Sequence, residues 1–249
     1  MENLNDVQVW KGFKDFVVDK KVMENADISS LYLKPVDGQK VVLPKAGQFV
    51  PLKINSGNER YDVVRAYSLS NKPNTEFYKV TIRKVEDGRA SVYLTDIVQE
   101  GDIIGVRPPA GKFFLDGNAD LEKPLVLLGA GIGITPVLSM LHEAVGKRKN
   151  IKYIEIFRNS EYQVLHEEIE EYIKNGLVDN TVVYTRPMEE NIQGKDYDLS
   201  GYLTKEWIME NLPKDGEYYF CGPKPFLLST EESLKELGVA EEDINYESF

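Results

Sequence analysis

Leu125-Val-Leu-Leu-Gly129-Ala-Gly131-Ile-Gly133-Ile-Thr135-Pro136 decides how the second half of this 249-residue chain folds. The apolar residues read as a buried strand. The glycines then turn the chain into a helix over 136–145, with Val137, Met140, Leu141 and Ala144 at helical spacing. Gly146 ends that helix. Glycines between a strand and a helix let backbone amides reach a phosphate, and the helix N-terminus adds positive potential. Thr135 is expected to cap the helix, with Pro136 at its first position. The strict dinucleotide fingerprint fails, because it needs a small residue three after Gly131 or Gly133, and those positions hold Ile134 and Pro136. Two readings stand: a nucleotide-binding turn, or a merely tight structural one.

Downstream the alternation continues. Strands are predicted over 151–157, 180–184 and 218–221, helices over 163–175, 204–211 and 224–237, and an extended tail over 245–249. Strands alternating with helices imply right-handed crossovers and a parallel sheet. Upstream, segments rich in Val, Ile, Tyr and Phe at 14–21, 29–35, 48–54, 64–70, 78–85 and 103–107 are separated by Gly, Asp, Asn and Pro turns. They suggest an antiparallel barrel or sandwich. One helix interrupts over 91–98, with Ser91 as its N-cap. The pattern changes after Pro108-Pro109-Ala110-Gly111, which predicts domains at 1–118 and 119–249.

Composition excludes several classes. The single cysteine, Cys221, rules out a disulfide framework, a four-thiolate iron–sulfur cluster and a cysteine-rich zinc site, and two histidines leave little for metal chemistry. The net charge of -11 lies in the second half: residues 1–118 carry 17 Lys+Arg against 16 Asp+Glu, and residues 119–249 carry 13 against 25. So acidic a chain repels nucleic acid and anionic lipid, and neither is expected as a partner. No apolar run reaches the ~18–20 residues of a membrane span, and Met1-Glu2-Asn3 opens no signal peptide. A cytoplasmic protein is expected, with the oligomeric state open and a monomer favoured.

Four further stretches hold side chains suited to chemistry. Arg65-Ala-Tyr67-Ser68-Leu69-Ser70 lies on a predicted strand, whose alternation sets Arg65 and Tyr67 on one face and Ser68 on the other. Arg offers a planar fork for a diphosphate, Tyr a ring for stacking and Ser a hydroxyl donor; a plain barrel strand is the alternative. Gly88-Arg-Ala90-Ser91 opens a helix, where an anion would meet free N–H groups, or where Ser91 is an ordinary cap. Cys221-Gly222-Pro223 ends a strand at the carboxyl edge of the predicted parallel sheet, where open α/β sheets bind ligands; Cys221 also reads as a small core residue. Glu247-Ser248-Phe249 is either a frayed end or, since Ile244, Tyr246 and Phe249 stand among acids, a packed tail.

With Pro109-Ala-Gly111-Lys-Phe113-Phe-Leu, these motifs in this order resemble the ferredoxin–NADP reductase superfamily, most closely the reductase half of flavohaemoglobins. The resemblance runs from about residue 10 to the end. It implies a six-stranded antiparallel Greek-key β-barrel that binds FAD, followed by a parallel-sheet, Rossmann-like domain for NADPH or NADH. It further implies that Arg65, Gly88, Ala90 and Ser91 hold the FAD diphosphate and that Tyr67 packs against the flavin. Ser68, with Leu69 and Ser70 beside it, lies near flavin N5. Gly131, Gly133, Thr135, Gly222 and Pro223 receive the nicotinamide nucleotide, with Cys221 near its reacting carbon. Glu247 joins that cluster and Phe249 covers the flavin face as a gate.

Flavohaemoglobins carry a globin ahead of this module, whereas only about ten residues precede Trp10 here, and one cysteine forbids an appended plant-type ferredoxin. The expected acceptor is therefore a separate haem, iron–sulfur or flavodoxin-type protein, or a small acceptor. NAD-specific sites place an acid at the tip of the second strand. Here Arg158-Asn159-Ser160 follows that strand, which leans the reading to NADPH. The rival functions are a flavin or ferric reductase using free flavin as substrate, and a non-catalytic electron-transfer subunit.

Overall fold

The computed structural model describes residues 9–117 and 120–248. The chain divides into two compact units, Met1–Phe114 and Leu115–Phe249.

In the first unit, β1 (Lys14–Met23), β2 (Ile28–Pro35), β3 (Phe49–Lys53), β4 (Val64–Ser68), β5 (Tyr78–Arg83) and β6 (Ile103–Val106) form an antiparallel sheet in the order β4-β3-β6-β1-β2-β5. A bridge between Leu69 and Val80 joins the two outer strands and closes the barrel. The order has the Greek-key connectivity expected, and closure leaves no edge strand unpaired. Alternate residues point inward: Phe16 and Val18, Leu31 and Leu33, Val50 and Leu52, Tyr78, Val80 and Ile82 make one apolar interior.

The helix expected over 91–98 starts earlier and is not a regular helix. A single turn, α1 (Arg89–Val92), runs into a π turn over Tyr93–Ile97, which puts Ala90, Leu94 and Val98 into the barrel core. Gly88 is the N-cap, so Ser91 does not cap; its hydroxyl accepts the Val85 N–H at 3.1 Å instead. The Lys21 ammonium closes the other end by donating to the carbonyls of Thr95 and Val98, at 2.6 and 2.8 Å. Those carbonyls would otherwise lack a partner.

In the second unit, β7 (Leu125–Ala130), α2 (Ile134–Ala144), β8 (Ile151–Phe157), α3 (Glu170–Lys174), β9 (Asp179–Tyr184), β10 (Leu199–Ser200), α4 (Lys205–Asn211), β11 (Glu217–Cys221), α5 (Lys224–Leu237) and β12 (Ile244–Glu247) build a parallel sheet in the order β10-β9-β8-β7-β11-β12. One face carries Val126, Leu128, Ile154, Ile156 and Phe220 against Ile208 of α4, Leu212 just after it, and Leu227 and Leu234 of α5. α2 packs on the opposite face, where the Cβ position of Gly129 meets Ile134 and Val137. The order reverses between β7 and β11, which makes the carboxyl ends of those strands the switch point of the sheet. One strand escapes the sequence reading, β10, which is two residues long; the tail expected to be extended is a strand over Ile244–Glu247, β12, paired in parallel with β11.

The helix expected over 163–175 is the main correction. The segment instead holds one short 3-10 turn, His166–Glu168, followed by α3, with another 3-10 turn just ahead of it at Ser160–Tyr162 and Leu165 in the left-handed region at φ 64°. The cause is a buried charge. Glu155 stands in the middle of β8 with 1% of its side chain exposed, and His166 turns in to meet it, Nδ1 to Oε1 at 2.9 Å. A buried carboxylate without a partner is costly enough to outweigh a few helical hydrogen bonds. His142 on α2 ties down the same segment through Tyr172 at 3.1 Å and Glu168 at 3.4 Å.

The Glu155 hydrogen bond raises the His166 pKa from 6.5, against the opposing effect of burial. Its contribution to stability is therefore full below about pH 6.5 and fades as pH rises through the higher folded value. The urea midpoint of His166→Gln should fall below the parent's at pH 6 and converge on it at alkaline pH. A gap that stays constant with pH would refute this pairing.

Candidate functional site

Each unit presents its own set of groups. In the barrel, β4 pairs with β3 so that Tyr67 lies opposite Val50 and Arg65 opposite Leu52. The Tyr67 ring is half-buried against the barrel core, and burial pushes its phenol up to about 12, against the pull of Arg65. Arg65 is exposed at the start of the strand; its Nη1 donates only to the neighbouring Val64 carbonyl, at 2.8 Å, and no carboxylate among the described residues pairs with it.

The serines of this stretch divide sharply. Ser70 is fully buried, and its hydroxyl lies 2.9 Å from Thr81 Oγ1, which is itself 2.8 Å from Ser30 Oγ. That ladder ties β5 to β2 and to the chain after β4, and it leaves Ser70 no hydroxyl facing outward. Ser68 is only 5% exposed, yet its hydroxyl has no hydrogen-bond partner among the described residues. That oxygen is not among the fully buried unpartnered ones, so it keeps some exposure and is open to a partner from outside the chain. Leu69, between them, lies in the core, as does Ala90. Gly88 is half-buried; a Cβ there would sit 2.4 Å from Ser91 Oγ and 2.8 Å from the Val85 carbonyl, so only glycine fits the turn.

In the second unit the glycine-rich turn is a 3-10 turn over Gly131–Gly133 leading into α2. Each glycine has its own reason. Gly131 has φ 56°, a region glycine enters without steric cost. A Cβ on Gly133 would lie 2.2 Å from the Cys221 carbonyl oxygen, and one on Gly222 would lie 2.8 Å from Ala130 Cβ. The turn after β7 and the turn after β11 are thus backbone against backbone. Thr135 is not the cap: Gly133 is, without a side-chain bond, and the Thr135 hydroxyl donates to the Ile132 carbonyl at 3.0 Å. Pro136 is third in the helix rather than first. The first amides of α2 consequently have no side-chain acceptor, and they face the switch point with the positive end of the helix dipole.

Gly129, Cys221 and Glu247 lie side by side across β7, β11 and β12. Cys221 is fully buried; burial first, then the nearby Glu247 charge, pushes its thiol well above the ordinary range. It stays protonated at neutral pH, which suits a small polarisable neighbour and not a nucleophile. Burial also raises the Glu247 carboxyl. Pro223 caps α5. Phe249 lies outside the described residues.

Arg158 follows β8 directly, exposed, with its guanidinium 5.5 Å from the Tyr162 ring. Its carbonyl accepts the Arg186 N–H at 2.8 Å, which sets a second exposed arginine beside it after β9. Arg186 and Tyr162 are absent from the sequence reading. The signal that would have found Arg186 is its place just past a predicted strand, as for Arg158.

Among the described residues no helix is long and apolar enough to cross a membrane, and no group of three or more His, Cys, Asp or Glu side chains gathers as for a metal.

Comparison with known proteins gives a consistent picture. Residues 15–115 match the oxidoreductase FAD-binding domain, and residues 127–232 the oxidoreductase NAD-binding domain. The chain is similar to the flavohemoprotein of Bacillus anthracis, with 40% identity over 255 residues, and to that of Bacillus subtilis, with 39% over 243. It covers 96% of itself in both but only 61% and 60% of their lengths, so it spans about three fifths of these relatives. Among solved structures, the FAD/NAD-binding domain of nitric oxide dioxygenase from Vibrio cholerae superposes with a TM-score of 0.84 at 29% identity, over 95% of this chain and 98% of that one. Phthalate dioxygenase reductase shares the fold, with a TM-score of 0.75 at 23% identity, over 95% and 68%.

Proposed function

Starting from a chain that belongs to the ferredoxin–NADP reductase superfamily, as an FAD- and nicotinamide-nucleotide-dependent oxidoreductase, we propose that it takes a hydride from NADPH and delivers electrons to an acceptor outside these 249 residues. The observation that carries the reading is the Ser68 hydroxyl, which has no partner within the chain, keeps some exposure and stands next in sequence to the half-buried Tyr67 ring. Bound flavin supplies the redox chemistry, accepting two electrons as a hydride and releasing them to the acceptor. The chain's residues supply position. Tyr67 gives the flavin a surface to pack on, and Ser68 donates a hydrogen bond near its hydride-accepting edge. Arg65 and the turn at Gly88, Ala90 and Ser91 hold the diphosphate, and Leu69 and Ser70 anchor the strand from inside the barrel.

In the second unit the turn through Gly131, Gly133 and Thr135, at the start of α2, takes the nucleotide's phosphates. Gly222 and Pro223 shape the facing turn, and Cys221 and Glu247 flank the nicotinamide. Hydride transfer depends on two rings held close with water excluded, so a protonated thiol and a carboxyl with a raised pKa are suitable neighbours.

Arg158 and Arg186 favour NADPH over NADH. No acid stands at the tip of β8, and neither guanidinium has a carboxylate partner among the described residues, which leaves both for a 2′-phosphate. Phthalate dioxygenase reductase is described as passing electrons from pyridine nucleotides to a [2Fe–2S] centre. With one cysteine in this sequence, such a centre would sit outside these 249 residues, and a haem or flavodoxin-type protein or a small acceptor fits equally. A cytoplasmic setting suits that role.

The test is anaerobic bleaching of the flavin absorbance by each nucleotide. NADPH should bleach the parent protein faster than NADH does, and Arg158→Ala should raise the NADPH half-saturation roughly tenfold, as for a lost charge-assisted contact, with NADH unchanged. A colourless protein that fails to take up added FAD would remove the reductase reading.

A further inference from the structure

Arg89 opens α1, but its guanidinium reaches a distant loop. Nε donates to the Arg60 carbonyl, and Nη2 donates to the carbonyls of Glu59, at 2.5 Å, and Asp62, at 3.5 Å. The three oxygens belong to one bend of the loop that leads into β4. That loop is also tied internally: the Asp62 carboxylate accepts from the Ser56 backbone and hydroxyl at 2.6 and 2.9 Å, and Asn58 Oδ1 accepts the Arg60 N–H at 3.0 Å. Tyr61, from the same bend, lies 5.5 Å from the Tyr93 ring on the π turn after α1. A guanidinium fork and a ring pair therefore fasten the loop to the start of this helix.

The geometry matters because of what the loop joins. Asp62, whose carbonyl Arg89 holds, stands three residues before Arg65. Arg89 itself stands between Gly88 and Ser91. One side chain thus locks together the two stretches that carry the diphosphate contacts. Carbonyls satisfy the fork without cancelling its charge, and no carboxylate pairs with Arg89 among the described residues.

We infer that Arg89 is a positioning residue for the diphosphate–adenosine half of FAD, which holds the loop closed so that Arg65 and the turn at Gly88 are presented as one preformed site. This rests on the reading that those two stretches take the diphosphate. A preformed site binds more tightly because the ordering cost is met before the ligand arrives. The contribution is confined to ligands with the second phosphate and adenosine. FMN, which keeps the ring system for Tyr67 and Ser68, is largely indifferent to it. The fork, not the charge alone, is required, since the three carbonyls are met from two separate nitrogens, Nε and Nη2, and one ammonium nitrogen cannot stand at both places.

The experiment measures equilibrium binding of FAD and FMN to apoprotein of the parent, Arg89→Ala and Arg89→Lys, by quenching of flavin fluorescence. Both variants should bind FAD roughly tenfold more weakly, the size of one or two lost charge-assisted hydrogen bonds. FMN binding should stay within about twofold of the parent, so the FAD:FMN preference collapses while the ring site is intact. Tyr93→Leu, which removes the ring pair and leaves the fork, should shift the preference in the same direction by a smaller factor. Arg89→Lys with the parent's preference, or an equal loss of both flavins in Arg89→Ala, overturns the positioning role. A parent protein that binds FAD no better than FMN overturns instead the diphosphate reading beneath it.

Discussion

Replacing Arg148 by methionine is expected to destabilise the parallel-sheet unit by about 3–5 kcal/mol, the cost of leaving one member of a buried ion pair alone. Arg148 Nη2 meets Glu217 Oε2 at 2.6 Å, with only 4% and 8% of the two side chains exposed. Its other nitrogen donates to the carbonyls of Asp120, at 3.0 Å, and Lys123, at 3.3 Å. The second Glu217 oxygen accepts the Tyr219 hydroxyl at 2.8 Å. The cluster therefore ties the chain entering β7, the turn after α2 and the start of β11 to one another at the amino edge of the sheet. In Arg148→Met the Glu217 carboxylate keeps its buried place without its cation. The double variant with Glu217→Gln should recover most of the loss, because neither charge then remains to be desolvated. Trp10 and Trp207 are the two tryptophans, one in each unit. Urea unfolding followed by Trp207 emission in a Trp10→Phe background therefore isolates this unit. A loss below about 1 kcal/mol would mean that the pair is solvated rather than buried.

Gly133→Ala should slow nucleotide-driven flavin bleaching by roughly a hundredfold or more, the usual consequence of misplacing a reacting group by about 1 Å. Its Cβ would fall 2.2 Å from the Cys221 carbonyl oxygen, 2.5 Å from that carbonyl carbon and 2.7 Å from the Gly222 nitrogen. All three are backbone atoms, so the clash is relieved only if the ends of β7 and β11 separate. That moves Cys221 and the amides of α2 together, at the point where the sheet order reverses. FAD uptake, read from the barrel's own residues, should be unchanged. Gly146→Ala is the control: it meets open space but a φ of 82°, so it should cost some stability and leave bleaching intact. Equal bleaching rates in Gly133→Ala and the parent would separate this turn from nucleotide handling.

The order of strands and helices was legible in the sequence, because the signals for it are local. Period-two alternation at 29–35 and 78–85 and glycines at strand ends act over a few residues. The core strands accordingly lie within a few residues of where they are read, and the parallel sheet follows, whereas the residues left barrel or sandwich open in the first half and the barrel came with the family resemblance. The site was legible as types of residue near strand ends, which is as far as spacing reaches.

What each of those residues touches was decided only by tertiary structure. Ser68, Ser70 and Ser91 are alike in sequence, yet one hydroxyl is left without a partner, one joins a ladder with Thr81 and Ser30, and one closes a turn on Val85. Thr135 turns back to Ile132 although a cap was open to it, and residues 163–175 give up a helix because Glu155, buried on another strand, requires His166. A cap, a turn and a core contact differ by about 1 kcal/mol for such side chains. Partners far away in sequence therefore choose among them, and those partners come together only when the chain has folded.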